Sequence, residues 1–134
     1  MTMERTLRVG IDLVQVSRIT ESLERFGERF LRRIFTSDEV AYATAAPAHT
    51  SARLAARFAA KEATIKALAM AQHPGGWRDI EVRRSPSGAC DIALHGAVLA
   101  AADRMGATSF ALSLSHDGDY ATAVVITSVH ESTP

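Results

Sequence analysis

Residues 7–16, LRVGIDLVQV, alternate in polarity and are rich in Val, Ile and Leu, which predicts a strand. The spacing then turns helical over SRITESLERFGERFLRRIF (17–35), with Ser17 as a candidate N-cap and Gly27 as a weak point or break. TSDEVAYATA (36–45) reads as a second short helix capped by Thr36 or Ser37, with acids in its first turn. After a PAHT turn (47–50), SARLAARFAAKEATIKALAMA (51–71) is the longest predicted helix, because Ala, Leu, Lys and Glu are strong helix formers. HPGG (73–76) is expected to stop it. Two strands, DIEVRR (79–84) and ACDIAL (89–94), flank the hairpin signal SPSG. A helix over 96–106 closes on Gly106, and strands at 108–116 and 120–129 flank DGD, a tight-turn signal. The order β, helices, then ββαββ predicts an α+β fold of one domain, residues 1–134, with a mostly antiparallel sheet packed against one long helix and shorter ones.

Two places break the pattern. Asp12 sits inside the first strand, where Asp is disfavoured, on the face shared by Gly10, Val14 and Val16 and opposite Val9, Ile11 and Leu13. It either ends the strand and caps the next element or is held by a partner. Gly10 beside it suggests close approach of a backbone or ligand. In the long helix, Glu62 and Lys66 lie roughly 40° apart at about 100° per residue, on a stripe with Ala55, Ala69 and, less closely, Ala59. Small residues there let a neighbouring element approach. One reading is an exposed i,i+4 Glu62–Lys66 pair, worth about 0.2–0.5 kcal/mol. The other is a functional set. Asp12 and Glu62 as hard oxygen donors suit Mg²⁺, and Lys66 adds a compact charge near a phosphate, the parts of metal-assisted phosphoryl transfer.

Composition bounds the rest. Of 134 residues, 47% are hydrophobic and 22% charged, as in ordinary globular domains, and the net charge is zero. Overall electrostatics therefore give no pull toward nucleic acid or membrane. The single cysteine, Cys90, and the lack of a signal peptide or membrane-length apolar run predict a cytoplasmic location. There is no Gly-rich P-loop and no HExxH.

GIDLVQVSRI (10–19) together with RFAAKEATIKAL (57–68) resembles the two signature blocks of the 4′-phosphopantetheinyl transferases. The second block matches an aromatic residue, two spacers, then KEAxxK: Phe58, Lys61-Glu62-Ala63 and Lys66. The chain length and SLSHDGDYATAVVI (113–126) look like the family's small bacterial branch. The resemblance implies transfer of phosphopantetheine from coenzyme A to a serine of apo acyl carrier protein, releasing 3′,5′-ADP. It implies Asp12 and Glu62 as Mg²⁺ ligands and Glu62 as a base for the serine. Lys66 would stabilise the pyrophosphate and protonate the leaving group. Arg57, Lys61, Lys66 and His116 would contact CoA, and the enzyme would be a homotrimer with CoA in clefts between subunits. An alternative is a non-catalytic CoA- or carrier-binding module of the same fold.

The carrier surface can be read from spacing. Placed on one helix, Arg18, Arg25, Arg29 and Arg32 fall within roughly 60° of each other. Such a basic stripe suits docking of an acidic helical partner, as acyl carrier proteins are; a solvated face with pairs such as Glu21–Arg25 is the bland reading. Three departures from the family pattern bear on CoA. Glycines after the long helix are delayed to Gly75 and Gly76, Gly88 lacks the Lys-Pro that usually follows, and AAPAHT lacks lysines able to reach CoA phosphates. Which carrier is served, in fatty-acid, polyketide or other synthesis, is not written in these residues.

Overall fold

The computed structural model describes residues 4–70 and 73–130. In chain order the elements are β1 (Arg5–Gln15), α1 (Val16–Phe26), α2 (Glu28–Ile34), α3 (Ser37–Thr44), α4 (Thr50–Ala67), β2 (Ile80–Arg84), β3 (Cys90–Leu94), α5 (Gly96–Arg104), β4 (Phe110–Asp117) and β5 (Tyr120–His130). Short 3₁₀ turns at Pro47–His49 and Trp77–Asp79 precede α4 and β2. The strands form two antiparallel sheets, a three-stranded one ordered β1-β5-β4 and the β2-β3 hairpin. The α+β expectation holds, with the sheet divided in two.

The two faces of β1 divide against simple hydrophobicity. Leu7, Val9, Ile11 and Leu13 point outward, and even Ile11, the least exposed of the four, shows 60% of its surface. The inward face is Gly10, Asp12 and Val14. It meets α4, whose Ala55, Ala59, Ala60 and Ala63 are fully buried against β1 and against Ala121, Ala123 and Val125 of β5. A β-carbon at Gly10 would overlap the Ala63 carbonyl and come within 2.7 Å of the Ala67 nitrogen. Strand and helix therefore touch backbone to backbone, which only glycine and alanines permit. A second cluster, including Leu68, Ile80, Val98, Ala102 and Val129, sits under α5.

Helix boundaries correct two expectations and decide a third in favour of the Gly27 break. Ser17 does not cap α1, which starts at Val16 after a Gln15 that makes no side-chain cap bond. The cap comes from the β4–β5 turn. The Asp119 carbonyl accepts from the Val16 N–H at 2.7 Å, and its carboxylate accepts from the Ser17 N–H at 2.9 Å and the Ser17 hydroxyl at 2.7 Å. A cap supplied from a hundred residues away leaves no local trace in sequence. The helical run from 17 to 35 is two helices, because Gly27 takes φ 55° and ψ −128° between α1 and α2. Helix α4 ends at Ala67, short of the predicted 71; Ala71 falls outside the described residues. Ala69 adopts φ 53°, and the Ala69 and Met70 N–H groups return to the carbonyls of Lys66 and Ile65 at 3.0 and 3.2 Å. This is the Schellman pattern, and its accompanying apolar contact joins Ile65 and Met70 to the second cluster. Alanine's helix propensity hid a stop that tertiary packing imposes. Of the two candidate caps, Thr36 and Ser37, it is Thr36 that serves: its side chain accepts from the Glu39 N–H while the Glu39 carboxylate accepts from the Thr36 N–H.

Bonding to Ser17 holds the Asp119 carboxyl below the ordinary aspartate range. Its stabilisation is therefore present in full above the unfolded pKa, about 3.9, and is lost as pH falls through the depressed folded value. Asp119→Ala is expected to lower the melting temperature at neutral pH, and the gap from the unaltered protein should close on acidification from about pH 5 to about pH 2. A constant gap, read by thermal melts across that range, would contradict the capping role.

Candidate functional site

The close approach at Gly10 delivers Lys66 of α4 to Asp12 of β1. The Lys66 ammonium donates to the Asp12 carboxylate at 3.0 Å and to the Ile11 carbonyl at 3.0 Å. About half of the Lys66 side chain remains exposed, whereas the Asp12 side chain is only 18% exposed. The local-pair reading of Glu62 with Lys66 is thus displaced by a long-range pair. Glu62 is half-buried and, among the described residues, has no ion pair within 4 Å. Burial, and then the Asp12 charge, raise its carboxyl above the ordinary glutamate value, against the opposing pull of Lys66 and His73. Glu62 thus lies near enough to Asp12 to feel its charge, a repulsion that a further cation would reduce. Asp12, Glu62 and Lys66 are brought to one place.

Lys61 is not part of that place. Its side chain is fully buried. Its ammonium donates to Glu39 at 2.8 Å, to the Trp77 carbonyl at 3.2 Å, and to the Ile80 carbonyl. The expected contact of Lys61 with a CoA phosphate is corrected accordingly. At 100° from Glu62 along the helix it faces the interior, and its three protons are already engaged.

Arg57 and His116 do meet, in a cleft of about 330 Å³ lined also by Tyr42, His49, Arg53, Arg84 and Cys90. Three guanidiniums gather on the Tyr42 ring, with Arg53 and Arg57 each 4.2 Å and Arg84 5.1 Å from its centroid. Arg53 also donates to the Tyr42 carbonyl at 2.8 Å. Among the described residues none of the three lies within 4 Å of a carboxylate. Arg57 is 4% exposed and its Nε has no hydrogen-bond partner. Burial pushes its guanidinium below the ordinary arginine value, partly countered by Cys90, Tyr42 and Glu39. Three cations braced by an aromatic face make a strong anion cleft. The sequence reading missed Arg53, Arg84 and Tyr42. Arg53 and Arg57 carried a signal, the i,i+4 spacing that puts them on one helix face; Arg84 and Tyr42 come from other elements and carried none.

Arg18, Arg25, Arg29 and Arg32 are all exposed. They do not form one stripe: Arg18 and Arg25 lie on α1, Arg29 and Arg32 on α2, beyond the Gly27 break. The Gly27 break thus separates the four arginines into two pairs, each on its own helix. Arg32 pairs with Glu28 at 3.1 Å, and Arg25 lies 5.5 Å from the Phe26 ring centroid.

Known proteins resemble the chain over most of its length. Residues 8–125 match the family described as the 4′-phosphopantetheinyl transferase superfamily. The chain is 45% identical to a holo-[acyl-carrier-protein] synthase of Gloeobacter violaceus over 88% of this chain and 89% of that protein. It is 46% identical to one of Beutenbergia cavernae, over 88% and 94% respectively. Among solved structures, the Chronobacterium ammoniagenes ACPS–CoA complex superposes with a TM-score of 0.83 at 34% identity, covering 94% of this chain and 99% of that one. Helicobacter pylori holo-[acyl-carrier-protein] synthase in complex with coenzyme A gives 0.77 at 32%, covering 89% and 98%.

An anion filling the arginine cleft stabilises the fold by mass action. Inorganic pyrophosphate is expected to raise the melting temperature, and Arg84→Ala, on an exposed side chain, should remove much of that rise without changing the melting temperature in its absence. An equal rise in both proteins would place the anion elsewhere.

Proposed function

The chain belongs to the 4′-phosphopantetheinyl transferase superfamily, and we propose that it acts as a holo-[acyl-carrier-protein] synthase, moving 4′-phosphopantetheine from coenzyme A to a serine hydroxyl of apo acyl carrier protein with release of 3′,5′-ADP. The observation that supports it is the Lys66–Asp12 pair at the β1–α4 contact, with Glu62 near enough to feel the Asp12 charge, in a chain about 45% identical to holo-[acyl-carrier-protein] synthases.

Asp12 and Glu62 would hold Mg²⁺. Among the described residues no cluster of three or more His, Cys, Asp or Glu could hold a metal. Two carboxylates, with the remaining positions left to phosphate oxygens and water, are nonetheless a donor set this cation accepts. When bound, the metal supplies positive charge against the diphosphate. Lys66, half in solvent, can reach an anionic diphosphate oxygen and give a proton to the departing phosphate. Glu62, directly or through a water, would take the proton of the serine hydroxyl. Arg57 and His116, with Arg53 and Arg84, hold the anionic nucleotide end of CoA, in place of the lysines that AAPAHT lacks.

The exposed arginines of α1 and α2 dock the acidic carrier. The outward face of β1, Leu7, Val9, Ile11 and Leu13, continues into Ile126 of β5, itself 41% exposed. An apolar face of that extent on an edge strand fits an interface between copies of the chain, as in a homotrimer. Among the described residues no helix is long and apolar enough to cross a membrane, and the lone Cys90 fits a reducing, cytoplasmic setting.

With CoA, Mg²⁺ and an apo carrier protein, the carrier should gain the phosphopantetheine mass, read by mass spectrometry. Glu62→Gln should lower turnover by at least about 10²-fold. Carrier binding with no mass gain for any carrier tried would favour the non-catalytic binding module instead. Reversing Arg25 and Arg29 to Glu is expected to raise the carrier KM roughly tenfold and leave CoA binding unchanged; equal losses for both substrates would rule out a docking role. Ile11→Lys should shift the sedimenting species from trimer toward monomer, and an unaltered trimer would exclude this face.

A further inference from the structure

Lys61 and Glu39 form a buried ion pair that the chemistry above does not use. Both side chains are fully buried. The Glu39 carboxylate accepts from Lys61 and from the Thr36 N–H at 2.9 Å on one oxygen, and from the Val82 N–H at 2.9 Å on the other. The Lys61 ammonium engages Glu39 and the carbonyls of Trp77 and Ile80. It also lies 5.6 Å from the centre of the Phe35 ring. One node thus ties α4 to the N-terminus of α3 and to the segment that enters β2.

Such pairs are poor sources of stability. Replacing one with apolar side chains of similar volume is often neutral or favourable, because desolvating two charges offsets their attraction. What it supplies is direction, and α4 has few other sources of it. The helix packs mainly through alanines, and it meets Gly10 backbone to backbone. Small side chains present a smooth surface with little to resist rotation about the helix axis. Lys61 is the largest side chain buried from the second half of α4. It immediately precedes Glu62. A carboxylate sits roughly 6 Å from the helix axis, so a rotation of about 10° moves it about 1 Å. A displacement of that size can cost about 10²-fold in rate.

We propose that the Lys61–Glu39 pair is a positioning device that sets the rotation of α4, so that Glu62 and Lys66 face Asp12. The inference rests on the metal reading given under the proposed function and adds a residue pair that touches neither substrate.

The test uses the double variant Lys61→Met with Glu39→Gln, which removes both charges and keeps an acceptor for the α3 cap. A second, Lys61→Gln with Glu39→Gln, stands in if the first does not melt cooperatively. Either should retain a melting temperature near that of the unaltered protein. Either should weaken Mn²⁺ binding in the presence of 3′,5′-ADP at least tenfold, read by electron paramagnetic resonance. Turnover at saturating Mg²⁺ and CoA should fall at least tenfold with the carrier KM unchanged. A stable variant with unaltered Mn²⁺ affinity and kcat would overturn the proposal. So would failure of both variants to fold, which would make the pair a folding requirement. Glu62→Gln, measured alongside, separates the two levels. If it too leaves Mn²⁺ affinity unchanged, the metal reading is what fails, and this inference falls with it.

Discussion

The Ala63 carbonyl lies where a β-carbon at Gly10 would stand, and the candidate site depends on that backbone-to-backbone contact. With any side chain between them, α4 would stand farther from β1, and the Lys66 ammonium would lose its 3.0 Å bonds to Asp12 and Ile11. The alanines along α4 serve the same end. They bury little apolar area each, so larger side chains supply much of the hydrophobic stabilisation: Ile19, Ile34, Phe35 and Leu54 in the same cluster, and Leu68, Ile80 and Val98 in the second. The structure gives up bulk at this seam in return for proximity.

Charge placement follows from that proximity. Lys66 turns to Asp12, on another element, rather than to Glu62 one turn away on its own helix. Glu62 is left half-buried beside a second carboxylate and holds its proton above the ordinary value. That leaves Glu62 without the lysine partner its own helix offers. The arginine cleft follows similar logic. Arg53, Arg57 and Arg84 are braced by Tyr42 rather than neutralised by carboxylates among the described residues. Lys61, by contrast, is neutralised and saturated by its partners, which is why two lysines five residues apart in one motif have different surroundings and different work.

The sequence-based errors share one cause. The Ser17 cap, the placing of the arginines on one helix in spite of the Gly27 signal, and the longer α4 were all inferred from neighbours in the chain. Each was overturned by something distant or by a single backbone torsion: Asp119 from the last hairpin, the unusual φ and ψ of Gly27, and the left-handed turn at Ala69. Lys61 was assigned by its place in a motif, and a motif does not record the direction in which a side chain leaves the helix.

From the residues alone came the order of elements, the α+β class, the oddity of Asp12 in a strand, and the pairing of Asp12 with Glu62 and Lys66 as a chemical set. These are legible because periodicity and propensity act over a few residues, and because a charge in an apolar stretch stands out locally. Tertiary structure alone decided that the less apolar face of β1 turns inward, that Lys66 pairs with Asp12, that Lys61 is buried, and that Arg53 and Arg84 join Arg57 on Tyr42. Those outcomes depend on which surfaces meet, and the energy of a buried charge is set by what surrounds it in space, not by what precedes it in the chain.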